Sequence, residues 1–251
     1  MPEPRSDDFN VDFNFDTDNP SRSRPDADSD SPTLRRYHQR LSSKPLKSGY
    51  LLSLTIPAVR RHGYLVHTAP TGEQTRFASD AITNSHTRWS RPQALVASIA
   101  ALNESQQAKY LNPPYTVGST MIWPVSSKAR PTMNQARGTR PEIADRMDLT
   151  LECIRRFYAG VSLSPLADVI SAYREFFDLF EGFSEFVDFF FFHDLVSLDF
   201  ESIKFFLPFD DFNRPATPCT VDEYVDYREA NLLFINRRAK RMADWVASAS
   251  E

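Results

Sequence analysis

Residues 137–158, RGTRPEIADRMDLTLECIRRFY, decide how the rest of the chain is read. A proline at the first position of a helix costs nothing, because its fixed φ suits the helix and its missing N–H would go unbonded there. A helix opening at Pro141 puts Ile143, Met147, Thr150, Leu151, Ile154 and Tyr158 on one arc, at steps of three and four. That arc is predicted to face a core. The other side carries Asp145, Asp148 and Glu152 in line, flanked by Arg155 and Arg156. Carboxylates three or four residues apart repel by roughly 0.2–0.5 kcal/mol per pair. The line therefore predicts a basic group or a metal ion beside it, unless it is a solvated face knitted by Glu152 and Arg156.

Downstream, Ser164-Pro165 opens a helix with Leu166, Val169, Ile170, Tyr173, Phe176, Phe177 and Phe180 on one stripe, and Gly182 fits its C-terminal cap. FSEFVDFFFFHDLV follows, with Phe on every side of a helix, which predicts burial by neighbours on several sides. Ser202–Leu207 reads as a strand. Thr220, with Glu223 three residues on, reads as a capping box for a long terminal helix whose inward residues are Val221, Val225, Leu232, Ile235, Met242 and Val246.

Upstream, Val11–Asp16 alternates apolar and acidic residues as a half-buried strand does, and residues 1–8 read as a tail. Thr17–Asp30 is a polar loop long enough to be functional. Ser31-Pro32 opens a helix with Leu34, Tyr37 and Leu41 as its stripe, ended by Lys44-Pro45. Tyr50–Ile56, Gly63–His67 and Gln74–Phe77 predict a small antiparallel meander with a turn at Thr71-Gly72. Helices follow from Pro92 to Leu102 and from Asn103 to Leu111, then a strand at Thr116–Trp123 closed by Pro124 and a polar connection over Ser126–Asn134. The fold class is α+β: a helix-rich single domain over residues 9–248, with a small, mostly antiparallel sheet from the N-terminal half.

Composition narrows the function by exclusion. The 251 residues include 20 Phe and 7 Gly, and the net charge is −4. The glycines never fall within six residues of one another, which excludes the P-loop and the dinucleotide fingerprint. There is no HExxH, no zinc-suited His/Cys spacing and no GxSxG elbow, so no metal ligand set and no nucleophile is named. No apolar run is long enough to span a bilayer, and no apolar leader opens the chain. With only Cys153 and Cys219, a disulfide framework is not expected. The expectation is a cytoplasmic protein away from the membrane.

Charge is what remains to carry a function. Asp12 and Asp16 share a strand face, and Asp145, Asp148 and Glu152 share a helix edge; either set suits a divalent cation or catalysis. Arg35, Arg36, Lys44, Arg137, Arg140 and Arg155 suit a phosphorylated small molecule, a nucleotide or nucleic acid. A shared site requires these stretches to meet in one cleft. His193-Asp194 is weighed as a proton-transfer pair against a structural histidine. The alternative is a non-enzymatic interaction or regulatory protein that uses the loop at Thr17–Asp30 and the basic terminal helix as partner surfaces.

The blocks VDFNFDTD, SPTLRRYHQRL followed by SKPL, ARG at Ala136–Gly138, IADRMDLTLECIRRFY, EFVDFFFFHDLV and KFFLPFDDF resemble those of a family of bacterial hypothetical proteins that carries only a domain-of-unknown-function label. The resemblance spans Val11 to Arg241 and supports the single-domain reading. It implies no activity and assigns no catalytic residue. Members often have an aromatic where this chain has Ser42, and a tighter Pro/Gly turn after SKPL.

Overall fold

The computed structural model describes residues 31–57, 64–82, 117–126 and 131–248. The strand at Val11–Asp16, the loop at Thr17–Asp30 and the two helices between Pro92 and Leu111 lie outside the described residues.

Helix α1 (Pro32–Leu41) starts where the sequence puts it, with the Leu34 N–H donating to Ser31 Oγ at 3.1 Å. It buries Leu34, His38 and Leu41 along one face. Four strands follow in spatial order β1 (Leu54–Thr55), β2 (Leu65–Thr68), β3 (Gln74–Ala81) and β4 (Thr120–Val125), all antiparallel. The expected strand at Tyr50–Ile56 contracts to two paired residues and a bridge between Pro45 and Leu51. The β2–β3 turn needs a positive φ, which Gly72 supplies at 84°. Pro124 does not end its strand. It pairs with Phe77 inside β4, which is an edge among the described strands, so a missing N–H is tolerated there.

The deciding stretch folds differently from its first reading. Thr132 and Gln135 form a capping box that starts α2 (Met133–Thr139), where a polar connection was expected. Residues 141–145 then form a turn, with Ala144 and Asp145 at φ 46° and 57°, and the Asp145 N–H donates back to the Arg137 carbonyl at 2.9 Å. The helix, α3 (Met147–Tyr158), starts six residues after Pro141, so Asp145 is not on it. Met147, Leu151 and Ile154 do face the core.

The Ser164 stripe is buried as predicted but splits at Tyr173 into α4 (Ala167–Ala172) and α5 (Arg174–Phe177), with the Tyr173 hydroxyl accepting from the Ser126 N–H at 3.2 Å. Gly182 caps the start of α6 (Phe183–Phe190) instead of ending the helix before it. The all-round apolar reading of α6 holds: Phe183, Phe186, Phe189 and Phe190 are all buried, and Phe186 and Phe190 meet with ring centroids 4.8 Å apart. Residues 202–207 make no strand beyond a single bridge from Ile203 to Val196. The last element, α7 (Val221–Ser248), has half of the expected box. Thr220 Oγ1 accepts from the Glu223 N–H, while the Glu223 carboxylate turns to the Cys219 N–H and to Arg214.

The architecture is α+β, with the four-stranded antiparallel sheet drawn from the N-terminal half. Among the described residues no helix is long and apolar enough to cross a membrane. The inward face of α7 is not the apolar list expected. Tyr224, Tyr227, Arg228, Asn231 and Arg238 are buried beside Phe234, Ile235, Ala239 and Met242, whereas Val225 and Leu232 are only partly covered. A 3-10 turn at Val117–Ser119 packs against α7 so closely that a Cβ on Gly118 would lie 2.6 Å from the Ile235 carbonyl oxygen and 2.8 Å from Ala239 Cβ. Gly118→Ala is expected to lower stability by about 1–3 kcal/mol in urea denaturation, because the helix must shift to admit one methyl.

Candidate functional site

Most of the charged residues that the sequence marks out have partners within the fold. Arg137 is fully buried and all five of its N–H groups are engaged. Nη1 donates to Asp80 (2.6 Å) and the Ala81 carbonyl, Nη2 to the Ile82 and Asp145 carbonyls, and Nε to Thr150 Oγ1. Arg140 forks onto Asp168 at 2.7 and 2.8 Å and also reaches the Pro165 carbonyl. Asp148 is 0% exposed; Arg146 holds both its oxygens, at 3.1 and 2.5 Å, and the Phe206 N–H donates to it at 2.9 Å. Arg146 also donates to the Ala216 carbonyl, so one ion pair fastens two irregular segments to the start of α3. Glu152 takes Arg155 on both oxygens and Arg156 on one, each at 2.8 Å. The expected acidic line is thus broken up: Asp145 is off the helix, Asp148 is taken by Arg146, and Glu152 is knitted to Arg155 and Arg156.

Asp145 lies beside Gly138, away from the helix, and burial raises its pKa against the pull of Arg137. Among the described residues no three His, Cys, Asp or Glu side chains are grouped as metal ligands are. Asp12 and Asp16 fall outside the described residues. Arg36 is exposed, and the Arg35 guanidinium lies over the Tyr64 ring, 4.9 Å from its centroid. Arg137 and Lys44 share no hydrogen-bonding partner. His193 pairs with Asp188 at 2.7 Å, not with Asp194, which binds Arg241.

One concavity is built from residues the sequence had sorted elsewhere. Where α1, β4, α6 and α7 meet, a partly open pocket, about 290 Å³ including the solvent at its mouth, is walled by His38 and Ser42, by Met121 and Ile122, by Phe189 to Phe191, and by Arg238 and Met242. Arg238 is 1% exposed, and among the described residues its hydrogen-bond acceptors are all backbone oxygens. Nε donates to the Phe190 carbonyl at 3.0 Å, and Nη1 to the carbonyls of Gly118 (2.7 Å), Thr120 (2.9 Å) and Val117 (3.4 Å). Nη2 has no acceptor among the described residues. Burial alone brings the Arg238 pKa down to about 9.

Two further basic groups stand close by. His38 lies 3.1 Å from the Tyr64 hydroxyl through Nδ1 and 3.2 Å from Thr120 Oγ1 through Nε2. Burial, then the Arg238 charge, push its pKa down to about 3, so the imidazole is neutral. The Lys44 ammonium donates to the Asp188 and Phe189 carbonyls and sits 3.4 Å from the centroid of the Phe191 ring. Burial, then Arg238, bring it down to about 6. Phe191 itself is in the left-handed region at φ 59°, an uncommon conformation for a large side chain, and it forms a wall of the pocket.

The chain belongs to the family of unknown function DUF6994, whose model matches residues 9–242. No curated protein and no solved structure matches it. The family brings no activity to these residues. The signal for the pocket was in the register of two helices: Arg238 falls on the arc of Ile235, Met242 and Val246, and His38 on that of Leu34 and Leu41.

Two expected outcomes follow from these partners. Asp148→Ala leaves the buried Arg146 unpaired and should cost about 3–5 kcal/mol in chemical denaturation. The folded pKa of Lys44 is below its unfolded value, so the folded state holds fewer protons between about pH 6 and the normal lysine range. Stability should therefore fall as pH drops from 10 to 6 in thermal melts, and Lys44→Met should flatten that slope.

Proposed function

We propose that this protein binds a small anion in the pocket between α1, β4, α6 and α7. The observation that carries the reading is Arg238: a buried guanidinium on the pocket wall, with no carboxylate partner and no acceptor on Nη2 among the described residues. A buried cation is ordinarily matched by an anion, and carbonyl dipoles supply only part of that match. Ser42 adds a hydroxyl to the same wall. Lys44 adds a second positive charge when protonated, so affinity rises as pH falls through about 6. About 290 Å³ of partly open space, walled mainly by apolar side chains, suits a small anion better than a nucleotide, so the phosphorylated and nucleic-acid ligands suggested by the arginine-rich sequence fit this pocket poorly.

The test is a thermal-shift series at constant ionic strength with chloride, nitrate and formate. A ligand at 100 times its Kd adds about 2.7 kcal/mol to stability. The wild type should show a saturable rise that is larger at pH 5.5 than at pH 8. Ser42→Leu, which fills the cavity, should fold and lose the rise. A wild type that does not respond, or a Ser42→Leu variant that responds equally, contradicts the reading.

A further inference from the structure

Ten residues before Arg238 the same helix buries another arginine under different conditions. Arg228 is 0% exposed, and Nε, Nη1 and Nη2 are all buried without a hydrogen-bond partner among the described residues. The other fully buried arginines do not share this state: Arg137 is engaged at every nitrogen, Arg146 forks onto Asp148, and Arg238 donates to four carbonyls. Burial lowers the Arg228 pKa, opposed only by Tyr227 and Tyr224, yet a guanidinium is too basic to shed its proton near neutral pH. It remains a cation whose five donors have no acceptor among the described residues.

The residues around it on the helix are polar as well as buried. Tyr224, Tyr227, Arg228 and Asn231 recur at steps of three and one along the inward face of α7, so two phenols, a guanidinium and an amide share one buried arc. Tyr227 is held in place by an edge-to-face contact with Phe206, at 5.7 Å between centroids, and by Arg146 over its ring at 6.0 Å. A planar fork with no acceptor, on a rigid helix, is the arrangement that receives a two-oxygen anion.

We infer that Arg228 anchors a second, buried site that binds a carboxylate group. A carboxylate meets the fork with two parallel N–H···O bonds and cancels its single charge. A phosphate dianion would leave one negative charge in excess in a site that excludes water, which disfavours it. This site rests on Arg228 alone and stands whether or not the Arg238 pocket binds an anion.

The experiment uses the full chain in the Ser42→Leu background, where the Arg238 pocket is filled, with acetate, phosphate and chloride at matched ionic strength. Acetate should raise Tm saturably. Adding Arg228→Met should abolish that rise while giving a higher Tm than its parent in acetate-free buffer, because the unpaired buried charge is gone. A lower Tm with the acetate response intact overturns the site, and an Arg228-dependent rise with phosphate but not acetate overturns the carboxylate assignment. Should the double variant not fold, the wild-type Arg228 Nε–Hε resonance decides by ¹⁵N NMR: a saturable shift with acetate supports the site, and an unmoved resonance overturns it.

Discussion

Arg238 is a buried guanidinium held by backbone oxygens, and the junction of α6, β4 and α7 depends on that contact. Its donors gather carbonyls from the C-terminal end of α6 and from the turn leading into β4, so one side chain on α7 fixes where the sheet and the Phe-rich helix meet. Gly118 permits the approach, since any larger residue would collide with the helix. The pocket at this junction follows from the clamp: the cation that draws the elements together also faces the space between them.

The same device recurs through the fold with carboxylates added. Arg137 ties the end of β3 to the start of α3, Arg146 with Asp148 ties the 206 and 216 segments to α3, and Arg156 with Asp211 carries the chain across to Glu152. Much of the chain after α6 is irregular, so its backbone groups need side-chain partners. Arginine suits the task because one fork serves several acceptors at once. A charge pattern that reads as a binding face in one dimension is here largely the fastening of loops, whereas among the fully buried arginines of the described residues Arg228 and Arg238 keep donors without an acceptor.

Periodicity made the helical core legible. The arcs of α1 and α3 and the aromatic stripe of α4 to α6 were readable because burial follows the 3.6-residue repeat. The start of α3 was not, because Pro141 is a good opening residue and the turn that displaces the helix depends on Arg137 and Asp145 meeting through space. Pro124 misled in the same way, since its tolerance depends on β4 lying at an edge, which no local pattern states. The pocket was missed because buried arginines were read as surface: Arg238 sits within a basic run, and only its phase relative to Ile235 and Met242 gives it away. The resemblance to a family without an assigned function was correct and silent on chemistry.

The central claim is that Arg238 presents an unsatisfied N–H edge to a space that accepts an anion. Anomalous diffraction from a crystal soaked in bromide tests it most directly. The account predicts a bromide peak within hydrogen-bonding distance of Arg238 Nη2 and near Ser42 Oγ. A well-ordered pocket with no anomalous density, or with a protein carbonyl or carboxylate already on Nη2, would contradict it.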